Sequence, residues 1–155
     1  MNPPTGLSEI VPFIDLRAQY RSLRPELDAA IAAVLESGTF VLGPAVAAFE
    51  RAFAEYIGVG ECVCVNSGTA ALQLALTGAG IGRGDEVIIP ANTFFATAEA
   101  VLWAGGTPIL VDVCEDDANI DRWAVERAVT AKTKAVVPGH LDGQPARLDE
   151  ILDNA

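Results

Sequence analysis

The sequence predicts an α/β fold with a mainly parallel sheet and flanking helices, and three observations lead there. Four short runs, Cys62–Val65, Glu86–Ile89, Pro108–Val113 and Ala135–Val137, are almost continuously apolar, as in strands covered on both faces. Helical segments over Gly68–Leu76, Phe94–Trp103 and Asp121–Val129 separate them, giving the strand-helix alternation of a layered fold. With 155 residues, 51% hydrophobic and 20% charged, the chain is long enough to bury a core.

Residues 1–10, with Pro3, Pro4 and Gly6, read as a flexible leader without chemistry, so the folded portion is expected over 11–155. After the apolar segment Val11 to Leu16, a helix is expected to open at Pro25. It has Glu26 and Asp28 in its positive first turn, Leu27, Ile31, Val34 and Leu35 on one stripe, and Gly38 at its end. A second amphipathic helix starts near Pro44, repeats Val46, Phe49, Phe53, Tyr56 and Ile57, and stops at Gly58. Cys62 and Cys64 alternate with Val63 and Val65, which places both thiols on one strand face as small buried hydrophobes. Crossovers between the strands are expected to be right-handed. Arg147 to Ala155 carries Leu148, Ile151 and Leu152 on one helical face and reads as a helix cut in its middle.

Ten Lys plus Arg against 21 Asp plus Glu give a formal net charge of −11, which repels nucleic acid and anionic membrane surfaces. No apolar run is long enough to span a bilayer. Three cysteines, an odd number without a secretory leader, favour a reducing cytoplasm. A single histidine, His140, leaves zinc without its usual ligand set, so no metal is expected.

The candidate chemistry lies where strands give way to helices, the ligand edge of an α/β sheet. Ser67, Gly68, Thr69 and Ala70 follow the first apolar run and open a helix, whose free N–H groups make an anion cup. The same residues also suit an ordinary capped helix. Gly78 to Gly84 is glycine-rich but follows a helix and precedes a strand, the reverse of a dinucleotide fingerprint, and reads as a turn. Phe94 and Phe95 follow the second run; one could stack on a planar cofactor, or both belong to the core. His140 follows the fourth run and has either a general-base role or a hydrogen-bonded structural one.

Seven segments in register resemble the N-terminal half of the DegT/DnrJ/EryC1/StrS family of pyridoxal-phosphate (PLP) dependent sugar aminotransferases. They are Val11 to Leu16, Leu42-Gly43-Pro44, Ser67 to Leu72, Gly82 to Ile88, Thr93 to Glu99, Lys132 to Pro138, and His140 to Pro145. The resemblance implies the N-terminal portion of a PLP-binding large domain of aspartate-aminotransferase type, fold type I, usually dimeric. Such enzymes move an amino group from glutamate onto a nucleotide-linked keto sugar in polysaccharide, glycan or antibiotic-sugar pathways. By the family pattern Gly68, Thr69 and Ala70 hold the PLP phosphate, Ser67 completes the turn, and Phe94 stacks on the pyridine ring.

In that pattern the aspartate that pairs with the pyridine nitrogen and the Schiff-base lysine both fall beyond residue 155. Lys132 and Lys134, the only lysines here, match a structural segment, so no catalytic residue is assigned and the chain alone is expected to be inactive. Gly139 and Asp142 stand where the family usually has a branched apolar and an aromatic residue. The resemblance also puts the first strand at the far end of the sheet from the other three. Cys62–Val65 is therefore expected to dangle, to pair in a new place, or to be completed by another chain, with self-association or association with a homologous chain as the consequence. Two alternatives remain at this stage: a non-catalytic partner or half of a split enzyme, and a stand-alone phosphate or nucleotide-binding module.

Overall fold

A computed structural model describes residues 12–152. The expected leader, Val11, and the last three residues of the expected terminal helix lie outside the described residues. The chain divides into two compact units, one ending at Cys64 and the other beginning at Val65.

The first unit holds two helices, α1 (Leu16–Ser37) and α2 (Pro44–Ile57). The expected start of α1 at Pro25 is corrected: the helix begins nine residues earlier and runs through the proline. Asp15 is the cap, its Oδ1 accepting the Ala18 N–H at 2.9 Å. Pro25 removes one N–H from the ladder without ending it, and Gly38 in the left-handed region closes the helix as expected. No residue of α1 is buried: of its expected apolar stripe, Leu27, Ile31 and Leu35 are exposed and Val34 is half-buried. Helix α2 matches its expected limits, with proline at its start and Gly58 at φ 80° as its stop. Phe49 and Phe53, one helical turn apart, stack with ring centroids 5.5 Å apart.

The expected strand Cys62–Val65 is not formed. A strand needs a neighbour for its N–H and C=O groups. Here the Cys64 N–H donates to Glu50 Oε1 at 2.8 Å instead of to a ladder carbonyl. Val63 is 76% exposed, and both thiols are half-buried rather than buried.

The second unit is a three-stranded parallel sheet in the order β2-β1-β3. Its strands are β1 (Glu86–Pro90), β2 (Thr107–Val111) and β3 (Thr133–Val136). Helices α3 (Gly68–Gly78), α4 (Ala96–Trp103), α5 (Arg122–Ala128) and α6 (Leu148–Leu152) complete it. The period of two along β1 divides the core. Val87 and Ile89 pack with Leu76 of α3, Ile81, and Ala100 and Val101 of α4. Ile88 packs on the other face with Ala124 and Val125 of α5 and Ile151 of α6. Both faces are therefore covered, which is why β1 reads as an unbroken apolar run; its three central residues are fully buried.

The glycine-rich segment before β1 is a turn, as expected: Asp85 Oδ2 accepts the Gly82 N–H at 3.0 Å, and Gly80 and Gly84 take φ of 82° and 97°. Gly106, ahead of β2, permits a close approach, since a Cβ there would stand 2.9 Å from Ile81 Cγ2.

Candidate functional site

Parallel strands put all their carboxyl ends on one edge, and two sets of candidate residues follow from that polarity. The first is the start of α3. Ser67 is extended, and its Oγ accepts the Ala70 N–H at 3.1 Å while its carbonyl accepts the Ala71 N–H at 3.0 Å. That is a capped helix, and it is also the geometry of an anion cup. The amides of Gly68 and Thr69 have no acceptor within the helix, and a Cβ built on Gly68 meets nothing within 4 Å. The Ser67 hydroxyl spends its oxygen on the cap and keeps its proton for a ligand. Thr69 and Ala70 are half-buried, so the open face of the turn is that of Ser67 and Gly68.

The second set surrounds a cleft of about 180 Å³ beyond the carboxyl ends of β1 and β3. Asn92, Thr93 and Phe94 line it after β1, and Asn119, His140 and Asp142 line it from the other connections. Phe94 is 79% exposed and Phe95 70%, so neither belongs to the core and the aromatic face of Phe94 is available for stacking. Thr93 and Thr97 join their hydroxyls at 3.2 Å across the first turn before α4. No residue of the α3 cup lines the cleft.

His140 is exposed, and its Nδ1 accepts the Ala146 N–H at 3.1 Å. The structural alternative for this histidine is therefore realised, with one ring nitrogen still uncommitted. Gly139 takes φ of 67° and Asp142 φ of 52°, both left-handed. These are conformations that glycine and aspartate accept more readily than branched or bulky residues, which gives a physical reason for both departures from the family pattern.

Asn119 escaped the sequence reading altogether. It is 3% exposed, the one buried polar side chain among the described residues. Its Oδ1 accepts the Leu141 N–H at 3.2 Å, and its Nδ2 donates to the Gln144 and Asp117 carbonyls at 3.2 and 3.4 Å. A cluster of Cys114, Asp116 and Asp117, with ligand atoms within 4.8 Å of one another, was also missed. Arg147 engages it, at 2.6 Å to Asp116 and 3.4 Å to Asp117. A larger cleft of about 390 Å³ beside β3 is lined mostly by apolar residues, with Thr133 and Lys134 the polar ones among the described residues.

Both lysines belong to the opposite end of the sheet. Lys132 immediately precedes β3, and its carbonyl accepts the Glu86 N–H at 2.9 Å where β1 begins. Lys134 is the second residue of β3 and is exposed. Among the described residues no helix is long and apolar enough to cross a membrane.

Comparison with known proteins gives the family and the fold. Residues 21–155 match the DegT/DnrJ/EryC1/StrS aminotransferase family. The dTDP-3-amino-3,4,6-trideoxy-alpha-D-glucose transaminase of Streptomyces venezuelae is 50% identical over 145 residues, covering 94% of this chain and 38% of that protein. The crystal structure of S. venezuelae DesV in complex with a ketimine intermediate superposes with a TM-score of 0.89 at 50% identity, over 94% of this chain and 39% of that one. NtdA from Bacillus subtilis, with bound cofactor PMP, gives a TM-score of 0.86 at 35% identity, over 94% of this chain and 34% of that one. The chain thus spans 38% of the length of the first of these relatives. With a family match over most of its residues and the same fold in solved members, it belongs to the DegT/DnrJ/EryC1/StrS aminotransferase family.

Proposed function

We propose that this chain forms the cofactor-phosphate and ring-stacking part of a PLP-dependent aminotransferase that acts on a nucleotide-linked keto sugar with glutamate as amino donor. The observation that carries the reading is the open first turn of α3, with the Gly68 and Thr69 amides free, on a chain of this family. Those two amides, the Ser67 O–H and the positive end of the helix bind the phosphate. Ala70 keeps the turn in place by tying its amide to Ser67. Phe94 offers an exposed aromatic face to the ring and sets its tilt. When bound, PLP supplies an electron sink that stabilises charge beside the transferred nitrogen.

Neither Lys132 nor Lys134 serves as the Schiff-base lysine in this reading, because both stand at the amino ends of the strands. The same reading has the chain work in the cytoplasm, with Cys62, Cys64 and Cys114 as free thiols. It also associates with a second or homologous chain.

The test is equilibrium titration of the chain with PLP, followed by displacement with inorganic phosphate and by borohydride reduction and peptide mapping. Expected are binding that phosphate competes away, a loss of ring fluorescence changes in Phe94→Ala with the phosphate competition retained, and no reduced adduct at a specific lysine. Binding indifferent to phosphate, or stoichiometric reduction onto Lys132 or Lys134, would overturn the proposal.

A further inference from the structure

The loop after β3 is held by a residue that no motif in the sequence points to. An isolated antiparallel bridge between Val113 and Ile120 closes a short hairpin beyond β2, and Asn119 lies inside it, immediately before Ile120. Its own backbone belongs to that hairpin: its carbonyl accepts the Cys114 N–H at 2.8 Å and its N–H donates to Asp117 Oδ1 at 3.0 Å. Its side chain reaches across to the loop, taking the Leu141 N–H and giving to the Gln144 carbonyl. Both ends of the 3-10 turn Leu141–Gly143 are thereby fastened to one amide group. A buried amide with its donor and acceptor both engaged across two segments fixes a single loop geometry.

The fastened loop in turn dictates the chemistry of His140. Ala146, buried at the far end of the loop, sends its N–H to His140 Nδ1 at 3.1 Å. A ring nitrogen that accepts carries no proton, so in the neutral imidazole the proton resides on Nε2. We infer that Asn119 is a positioning residue: it fixes the loop so that His140 is held as the Nε2–H tautomer, a hydrogen-bond donor offered to an oxygen of the ligand in the cleft beside Phe94. The donor's ligand rests on the proposed function above. The clamp does not.

His140 is the only histidine, so its imidazole signals in a ¹⁵N-labelled chain need no assignment. At about pH 8, above the ordinary histidine range, long-range proton–nitrogen correlations distinguish the two tautomers. The wild-type chain is expected to show the Nε2–H pattern and a slowly exchanging Ala146 amide. In Asn119→Ala the pattern moves to the mixed tautomers of a free imidazole. The Leu141 and Ala146 amides then exchange about tenfold faster or more, while the Val87 to Ile89 amides of β1 stay protected. If that variant loses the β1 protection as well, Asn119→Asp decides the matter. It keeps the size and the acceptor for Leu141 and removes the donor to Gln144, so an intermediate tautomer mixture is expected. An unchanged tautomer and unchanged Ala146 exchange in the folded variants overturn the clamp.

Addition of PLP then tests the donor. Movement of the Nε2 signal with the binding isotherm supports it. Saturation without any movement overturns the donor role and leaves the proposed function intact. Absence of PLP binding overturns both the donor role and the proposed function, while the clamp is still decided by the variants.

Discussion

Substituting Gly68 by alanine separates folding from binding at the start of α3. Gly68 is the first residue of an 11-residue helix, and a Cβ there meets nothing within 4 Å, so the new methyl causes no clash. Alanine loses less backbone entropy than glycine on entering a helix, which stabilises by up to about 1 kcal/mol. For a unit of this size that is a rise in melting temperature of about 4–8 °C, measured without ligand because bound ligand would add its own stabilisation. Binding moves the other way. The Gly68 amide is one of two without an acceptor in the helix, and a methyl on that turn crowds the approach of an oxyanion. Losing one hydrogen bond to a charged group costs about 1.5–3 kcal/mol, which weakens phosphate or PLP binding about ten- to hundredfold. Calorimetric titration with phosphate and with PLP, alongside thermal melts followed by circular dichroism, reads both effects from one preparation. A variant that melts lower refutes the clash-free placement of Gly68 at the helix start, and one that binds phosphate as tightly as the wild type refutes the assignment of this turn as an anion cup.

Two further outcomes concern the packing and the acidic hairpin. Gly106→Ala drives a Cβ to 2.9 Å from Ile81 Cγ2 and 3.3 Å from Val101 Cγ1, both in the buried cluster, so it destabilises by about 1–3 kcal/mol. Adding Ile81→Leu, which removes the branching methyl, should recover part of that loss in chemical denaturation; strictly additive losses would exclude the clash. Burial pushes the Cys114 thiol up, with Asp121, Asp117 and Asp116 adding to it, while Arg147 pulls it down. Because the thiolate is the reactive form, Cys114 should alkylate more slowly than in the unfolded chain, and Arg147→Ala should slow it further. Faster alkylation in Arg147→Ala would contradict this origin of the shift. The linked stability is full below the ordinary thiol pKa and is lost as pH rises through the raised value of the folded state.

The parts of the fold that were legible in the sequence are those whose signals are local. Helix α2 carries its proline and its closing glycine within its own segment, and β1 to β3 are apolar runs bounded by turn residues. Helix α1 is expected from Pro25, since proline usually marks a first helical turn, but the proline is accommodated inside the helix and the cap is Asp15. Cys62–Val65 has the composition of a strand and is not one, because composition cannot supply a partner, and Glu50 takes the Cys64 amide instead. Phe94 and Phe95 were ambiguous for a related reason: whether an aromatic after β1 points inward depends on the packing of α4 and not on its neighbours in sequence. Asn119 was invisible because its two loop partners, Leu141 and Gln144, are 22 and 25 residues away.

Sheet polarity turns the question of the lysine from one of motif into one of distance. Phe94 and His140 follow their strands, whereas Lys132 precedes β3 and is bonded through its carbonyl to Glu86, the first residue of β1. A five-residue strand spans about 16 Å, further than an extended lysine side chain reaches. Lys134, one step into β3, is only one pleat nearer, and it lines the apolar cleft and not the polar one. For either lysine to meet a ring stacked on Phe94, β3 would have to slide toward its carboxyl end against β1. Such a slide would break the Ile88–Val136 register and pull Val136 from its packing against the Ile88 cluster. Within the proposed function, a Schiff-base lysine for the Phe94 cleft therefore comes from outside these 155 residues.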